Sequence, residues 1–240
     1  MARNLRRAQI FRRCGVGAGL VLPSLLEYAF TGRVQILGFG TDGTSAPYAG
    51  PLWGYIGYLA GAVVAEATLV RRVDTTRRAA SLVPRDLADY LSPRLLLAQR
   101  ALGAVVVAGI LLLGVVPYDE STTQPGWLGL LAGATLAAAF TLGLEALERW
   151  LVRRPQPFTD PSLVAADDAV RAESVRSVAG SGLALLLVTL SGIFAALAAS
   201  EWDVLRATMW LPALVALGLS IHACLGIVRR PWQGRRPVAA

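Results

Sequence analysis

The chain has 240 residues, of which 55% are hydrophobic and only 16% are charged, and its mean hydropathy is +0.53. A soluble domain carries about 25% charged residues, so this composition argues against a soluble globular domain. The net charge of +7 arises from 23 arginines without a single lysine. Because these arginines flank apolar runs, a nucleic-acid-binding face is excluded.

The N-terminal region combines a basic segment with a short apolar run. Residues 1–13 hold five arginines and no acid, and residues 14–30 form a marginal first span that Pro23 and Glu27 interrupt. A cleaved secretory signal peptide has the same basic start and short apolar region, so it remains the alternative, although no clear small-residue cleavage site follows. Retained or cleaved, this segment places residues 31–50 outside the membrane.

The second span, residues 51–70, shows the membrane pattern most clearly. It begins beside Trp53, carries Gly57 and Gly61 in its interior, and ends at the arginine pair 71–72. Aromatic residues at one end, small residues within and arginines at the other end are typical of a membrane-spanning helix.

Four further apolar runs are long enough to cross a bilayer, because about 20 predominantly apolar residues suffice. The chain is therefore predicted to be an all-α, polytopic transmembrane bundle of six spans that forms a single membrane domain. Arg100 lies one turn into the third span, from where its long side chain can reach back to the interface. The third to sixth predicted spans are residues 95–116, 126–147, 178–198 and 207–228.

Short helical segments are predicted in the two longer loops. Residues 84–91 form one, with apolar side chains gathered on one side, and Ser92 and Pro93 then have the pattern of an N-cap and first residue of the third span. The same start signal recurs at residues 160–161. The apolar stripe that follows it gives out at Ser174, and the fifth span is predicted to begin at residue 178.

The arginines alternate between the segments that connect the spans. One set of segments holds 21 of the 23 arginines, and the alternate loops hold only Arg33 and Arg206. Positive residues concentrate on the cytoplasmic side, so both termini are predicted to be cytoplasmic. The arginine-rich segments are residues 1–13, 71–100, 149–176 and 229–240, with 5, 7, 5 and 4 arginines.

Glycine pairs spaced as G-x-x-x-G recur in the spans, and this spacing allows helices to approach closely. Gly57 and Gly61 form one pair in the second span, and Gly129 and Gly133 form another in the fourth. We predict that they are helix-packing positions within one chain. An interface between copies in a homo-oligomer is the alternative.

Ionisable residues inside spans are candidates for function, because the bilayer penalises charge. Glu27, Glu66 and His222 are such residues, and each is a candidate for ion or proton coupling. Structural roles compete, since Glu66 lies within reach of Arg71 and a lone histidine can hydrogen-bond a neighbouring helix. No metal site and no cofactor are predicted, because one histidine and two cysteines are too few for a zinc site.

Charged residues near the inner helix ends are predicted to be structural. Glu145 and Glu148 lie at the inner end of the fourth span, where Glu145 and Arg149 form an ordinary i,i+4 pair. Asp167 and Arg171 have the same spacing, and they are expected to pair on the surface of the following loop.

The sequence has no P-loop, G-x-S-x-G or H-E-x-x-H motif, so the chain is not expected to be an enzyme or to hydrolyse ATP by itself. Its plan resembles six-span membrane proteins of GC-rich bacteria. Its length, basic N-terminal segment, predicted cytoplasmic termini and short helix at residues 84–91 also resemble the membrane subunits of ABC-2-type exporters. This resemblance covers architecture only, and it implies a cytoplasmic ATPase or another membrane subunit as partner, besides the lipid bilayer.

The function expected from these features is that of a non-catalytic membrane subunit of a transport complex in the cell membrane. A membrane organiser or accessory protein is one alternative. A stand-alone secondary transporter is the other, although the sequence shows no polar cluster at one depth in the middle of the membrane.

Cysteine accessibility in intact cells tests the arginine asymmetry. After replacement of Cys14 and Cys224, Ser121→Cys should react with a membrane-impermeant thiol reagent, because residues 118–125 are predicted to lie outside. Ser81→Cys, in an arginine-rich loop, should react only after the cells are permeabilised. Labelling at Ser81 with protection at Ser121 would invert the predicted orientation.

Overall fold

The computed structural model describes residues 86–118, 126–154 and 161–229, together with a few positions nearer the N-terminus. Those positions are 35–36, 39–40, Gly57, Ala60, Gly61 and Val64. The first predicted span, most of the second, both termini, Glu27 and Glu66 lie outside the described residues, and the predictions made for them stay predictions.

Helices make up nearly all of the described structure, which confirms the all-α prediction. In chain order the elements are β1 (Gln35–Ile36), β2 (Phe39–Gly40), a 3-10 turn (Leu87–Asp89), α1 (Pro93–Leu112), α2 (Trp127–Arg153), α3 (Pro161–Ala198), α4 (Asp203–Thr208) and α5 (Trp210–Arg229). The two-residue strands β1 and β2 form an antiparallel pair within the predicted outer loop.

Three of these helices are long and apolar enough to cross a membrane: α1, α2 and the part of α3 that covers Asp167–Ala198. In α5, Trp210–Ala223 is a shorter apolar helix. Large apolar side chains face outward from these helices; Leu128 is 84% exposed, and Leu142 and Leu211 are each 70% exposed. An apolar surface of this kind suits lipid better than water.

The predicted start of the third span is confirmed in detail. Ser92 is the N-cap of α1, its Oγ accepts a hydrogen bond from the Leu95 N–H at 3.3 Å, and Pro93 is the first helical residue. Proline is tolerated there because its missing N–H would have no partner in the first turn. The preceding 3-10 turn buries the two leucines at positions 87 and 91, so the short helix predicted in this loop exists in a reduced form.

The connection between the fourth and fifth predicted spans is shorter than expected, because both helices extend into it. α2 continues to Arg153, and α3 begins at Pro161 and runs without a break to Ala198. The helix that begins at Pro161 therefore continues past Ser174, where its apolar stripe ends, into the predicted fifth span. Ser174 is buried, since the polar half of α3 packs against the end of α2 instead of lying on the surface.

Three polar contacts establish the relative directions of the helices. Arg100, near the start of α1, contacts Glu145, near the end of α2. Arg171, in the first half of α3, contacts the last turn of α2. Ser191, near the end of α3, donates a hydrogen bond to the carbonyl of Ala213, near the start of α5, at 2.8 Å. Successive long helices therefore alternate in direction, with α3 central because it contacts α1, α2, α4 and α5.

The segments that follow α1 and α3 meet at one end of the bundle, which we call the loop end. α1 ends at Leu112, four residues before the predicted end of the third span. Beyond it, Tyr118 pairs with Ser200, and the Glu201 N–H donates to the Pro117 carbonyl at 3.2 Å. We call the opposite end the arginine end, after Arg94, Arg100, Arg149, Arg153, Arg154, Arg171 and Arg176.

Two helical glycines outside the predicted pairs leave no room for a Cβ. A Cβ at Gly182 of α3 would lie 2.8 Å from Cδ1 of Leu144 in α2. A Cβ at Gly103 of α1 would lie 2.7 Å from Cγ2 of Thr141, also in α2. These positions suit glycine because a neighbouring side chain occupies the space that a Cβ would need.

The four glycines predicted to pack differ in exposure. Gly133 is buried, and Gly57 and Gly61 are half-buried helical residues. Gly129 is exposed, and a Cβ there would meet nothing within 4 Å. In the first turn of α2 it is Leu130 that faces the core, so Gly129 makes no close helix contact within the described part of the chain.

These two kinds of glycine predict different responses to the same substitution. Gly182→Leu should lower the free energy of unfolding by about 1–3 kcal/mol, because the new side chain collides with Leu144. Gly129→Leu is the matched control and should be tolerated, since no described residue lies within 4 Å of a Cβ at this position. Thermal unfolding of the full-length protein in detergent measures both, and a greater loss at Gly129 would contradict the packing described.

Candidate functional site

The arginine end holds buried polar side chains between α1 and α2. Glu145 of α2 is 8% exposed and accepts hydrogen bonds from two arginines. Arg100 of α1 donates from Nε to Glu145 Oε2 at 3.1 Å and from Nη2 to Oε1, and Arg149 donates to Oε1 as well. The predicted pair of Glu145 with Arg149 is confirmed, and Arg100 adds a second cation from another helix.

The two arginines approach Glu145 from the surface of the bundle. Their side chains are 56% and 52% exposed, whereas that of Glu145 is 11% exposed. The guanidinium groups therefore keep part of their hydration, which reduces the desolvation penalty of an ion pair. The charge of Glu145 is neutralised, and α1 and α2 are joined at this level.

Glu148 lies one turn from Glu145 but in different surroundings. Its side chain is 0% exposed, and neither carboxylate oxygen has a hydrogen-bond partner among the described residues. Gln99 of α1 is 2% exposed and interacts with Glu148, and its Oε1 also lacks a partner in this part of the structure. An isolated carboxylate is costly there, because neither water nor a hydrogen bond replaces its hydration.

Sequence reasoning did not separate Glu148 from Glu145, since both are acids at the same helix end. A signal was present: Gln99 and Arg100 are adjacent polar residues inside an apolar run, close to the same membrane boundary as the two acids. Only the packing of α1 against α2 decides which glutamate meets the arginines and which meets the amide.

A second group of buried charges joins α2 to α3. Arg171 is buried and donates from Nη2 to Asp167 Oδ2 at 2.8 Å, and from Nη1 to the carbonyl oxygens of Val152 and Arg154 at 2.6 and 2.7 Å. Arg154 donates from Nη2 to Asp167 Oδ1 at 3.2 Å. We call these four residues the Arg171 clamp. The predicted pair of Asp167 with Arg171 is confirmed, but it lies in the interior and not on the surface.

The clamp supplies hydrogen bonds that α2 lacks at its C-terminus. The last carbonyl groups of a helix have no N–H partner within the helix. α2 ends at Arg153, and Pro155 in the sequence has no N–H to continue it. A guanidinium at this position also interacts favourably with the negative end of the helix dipole. Arg171 therefore holds α3 against the end of α2 through charge and hydrogen bonds together.

Of the three residues predicted as coupling sites, the structure describes His222 alone. Glu27 and Glu66 lie outside the described residues. His222 is described on α5, where its side chain is exposed, so the bundle does not bring it into the buried group. Within the described ranges, no group of three or more His, Cys, Asp or Glu residues could hold a metal ion.

The two groups predict different costs for removing an arginine. Arg171→Ala should lower the free energy of unfolding by about 3–5 kcal/mol, because it uncaps α2 and leaves a buried carboxylate, Asp167, with Arg154 alone. Arg149→Ala is the control, since Glu145 keeps Arg100 and an exposed pair contributes about 0–1 kcal/mol. Thermal or denaturant unfolding in detergent measures both losses, and losses of equal size would contradict a structural role for the clamp.

Comparisons with known proteins give no indication of function. No protein-family model matches the chain, and no curated protein and no solved structure matches it either. What the chain does must therefore be inferred from its own residues and their contacts.

Proposed function

We propose that the chain is a non-catalytic, six-span membrane subunit of a transport complex in the cell membrane, with both termini in the cytoplasm. Its partner in this proposal is a cytoplasmic ATPase or another membrane subunit. The apolar outward-facing surfaces of α1, α2 and α3 support the membrane location. The alternation of helix directions agrees with spans that cross one after another, and the arginine asymmetry supports a cytoplasmic arginine end.

The observation that favours a complex is the shape of the arginine end. A helix crosses the hydrocarbon layer of about 30 Å with roughly 20 residues. Residues 178–198 of α3 meet that length, so residues 161–177 would project roughly 25 Å beyond it. The Arg171 clamp holds this projection against the end of α2. An ordered, charged surface outside the lipid is what a peripheral subunit needs for docking.

We name this surface the platform and define it by residues 87–91, 149–154 and 161–177. It includes the 3-10 turn in the segment that resembles the ATPase-contacting helix of ABC-2-type exporters. Arg153 is exposed in the last turn of α2, where its charge is available to an acidic partner surface. A rigid platform favours an assembled transporter over an accessory protein that only occupies the membrane.

Ion-coupled secondary transport is the second candidate, and Glu148 is the observation that favours it. Buried carboxyl groups in membrane helices commonly mark ion or proton pathways. A stand-alone transporter of this kind would need neither an ATPase nor the platform.

ATP hydrolysis by purified material tests the proposal. Full-length tagged protein, isolated in mild detergent from the cells that make it, should hydrolyse ATP through its partner, because the chain has no ATP site of its own. Arg153→Glu should remove most of this activity at unchanged protein yield. Asp203→Arg, a matched charge reversal at the loop end, should leave it intact. Wild-type material without ATP hydrolysis, combined with proton-driven uptake in proteoliposomes, would favour the second candidate instead.

A further inference from the structure

Two buried acceptors lie between α1 and α2 at the arginine end. Neither the Glu148 carboxylate nor Gln99 Oε1 has a hydrogen-bond donor among the described residues. We propose that Glu148 is a reversible proton-binding site between α1 and α2, with Gln99 as the hydrogen-bond partner of the bound proton. The inference does not depend on the proposed function, because it concerns this chain without any partner.

One bound proton gives both Glu148 and Gln99 a hydrogen-bond partner. A protonated carboxyl group is a donor as well as an acceptor, so the Glu148 hydroxyl can donate to Gln99 Oε1. After the proton leaves, rotation of the amide presents its NH2 group to the carboxylate. The two orientations of an amide are not distinguished by shape, so Gln99 suits either state without a change in packing.

The cations of the arginine end are engaged elsewhere. Arg100 and Arg149 both bind Glu145, and Arg171 binds Asp167 and the carbonyl groups at the end of α2. The Glu145 carboxylate, one turn away, disfavours a second negative charge beside it. Glu148 therefore has no ion-pair partner among the described residues of α1 and α2, and Arg149 acts on it only through longer-range electrostatic attraction.

α3 supplies the third wall of the site. Leu144 lies beside Gly182, and Arg171 contacts the end of α2, so residues 174–178 of α3 are level with Glu148. Most of this stretch is apolar or hydroxyl-bearing and buried. Arg176 is the one charged residue of this stretch, and it is not among the groups that interact electrostatically with Glu148.

A metal cation fits this site less well than a proton. Mg²⁺ and Ca²⁺ require about six or more oxygen ligands, whereas the site offers the two oxygens of Glu148 and the one of Gln99. No metal-binding group of His, Cys, Asp or Glu occurs among the residues that the structure describes.

Exchange with water needs only a short path. Arg154 lies six positions beyond Glu148 along the chain, which corresponds to roughly 9 Å at the helical rise per residue. On binding, a hydronium ion transfers its proton to a carboxylate oxygen of Glu148 and becomes water, and on release the reverse occurs. No other reactant is required.

Infrared spectroscopy of the full-length protein in lipid nanodiscs tests the proposal. The wild type should show the carbonyl band of a protonated carboxylic acid at neutral pH, and this band should shift in D2O as the proton exchanges. Glu148→Gln, which mimics the protonated shape, should abolish the band. Glu201→Gln, the same substitution at an exposed acid of the loop end, is the matched control and should retain the band, because it leaves Glu145 and its two arginines in place.

Gln99→Leu provides a second readout that does not alter the acid. The band should persist but move, because the carboxylic acid loses its acceptor. A band that survives Glu148→Gln, or a wild-type spectrum without one, would overturn the proposal. So would a band that fails to exchange in D2O or one that sodium chloride removes. If Glu148→Gln fails to fold, the D2O and Gln99→Leu measurements still decide.

Discussion

The bond network of Arg171 is the constraint on which the arginine end depends. A buried guanidinium is tolerated only if its charge and its donors are satisfied. Here Asp167 supplies the opposite charge, and the unpaired carbonyl groups at the end of α2 accept hydrogen bonds from the guanidinium. The same contacts cap the C-terminus of α2, where the last carbonyl groups have no N–H partner within the helix. One side chain of α3 thus caps the C-terminus of α2 and holds the first half of α3 against it.

Glu145 and Glu148 show that helix packing can give two similar residues very different surroundings. They are one turn apart on α2, yet Glu145 binds two half-exposed arginines, whereas the buried Glu148 has no hydrogen-bond partner among the described residues. The difference follows from α1, which brings Arg100 to one acid and Gln99 to the other. Adjacent residues on a helix point about 100° apart, so a single neighbouring helix can present opposite chemistry to successive turns.

The clamp and the buried acid lie close enough to influence each other. Glu148 precedes by less than two turns the carbonyl groups that Arg171 caps. A change of charge at Glu148 would therefore act on the part of α2 that supports the platform. The proton binding and the partner docking that we propose therefore involve the same packed end of α2, and coupling between sites is carried by such packed elements.

Local rules determined the elements, and contacts between helices determined the site. The sequence by itself determined the all-α class, the membrane character of α1 to α3, and the helix start at Ser92, because capping and hydrophobic length act within a few residues. The continuation of α3 through Ser174, the close contact at Gly182 and the open surface at Gly129 were decided by tertiary structure. Tertiary structure also decided that Glu148 is buried away from the arginines that bind Glu145. Each of these depends on which residue of another helix lies opposite, and a one-dimensional pattern does not contain that information.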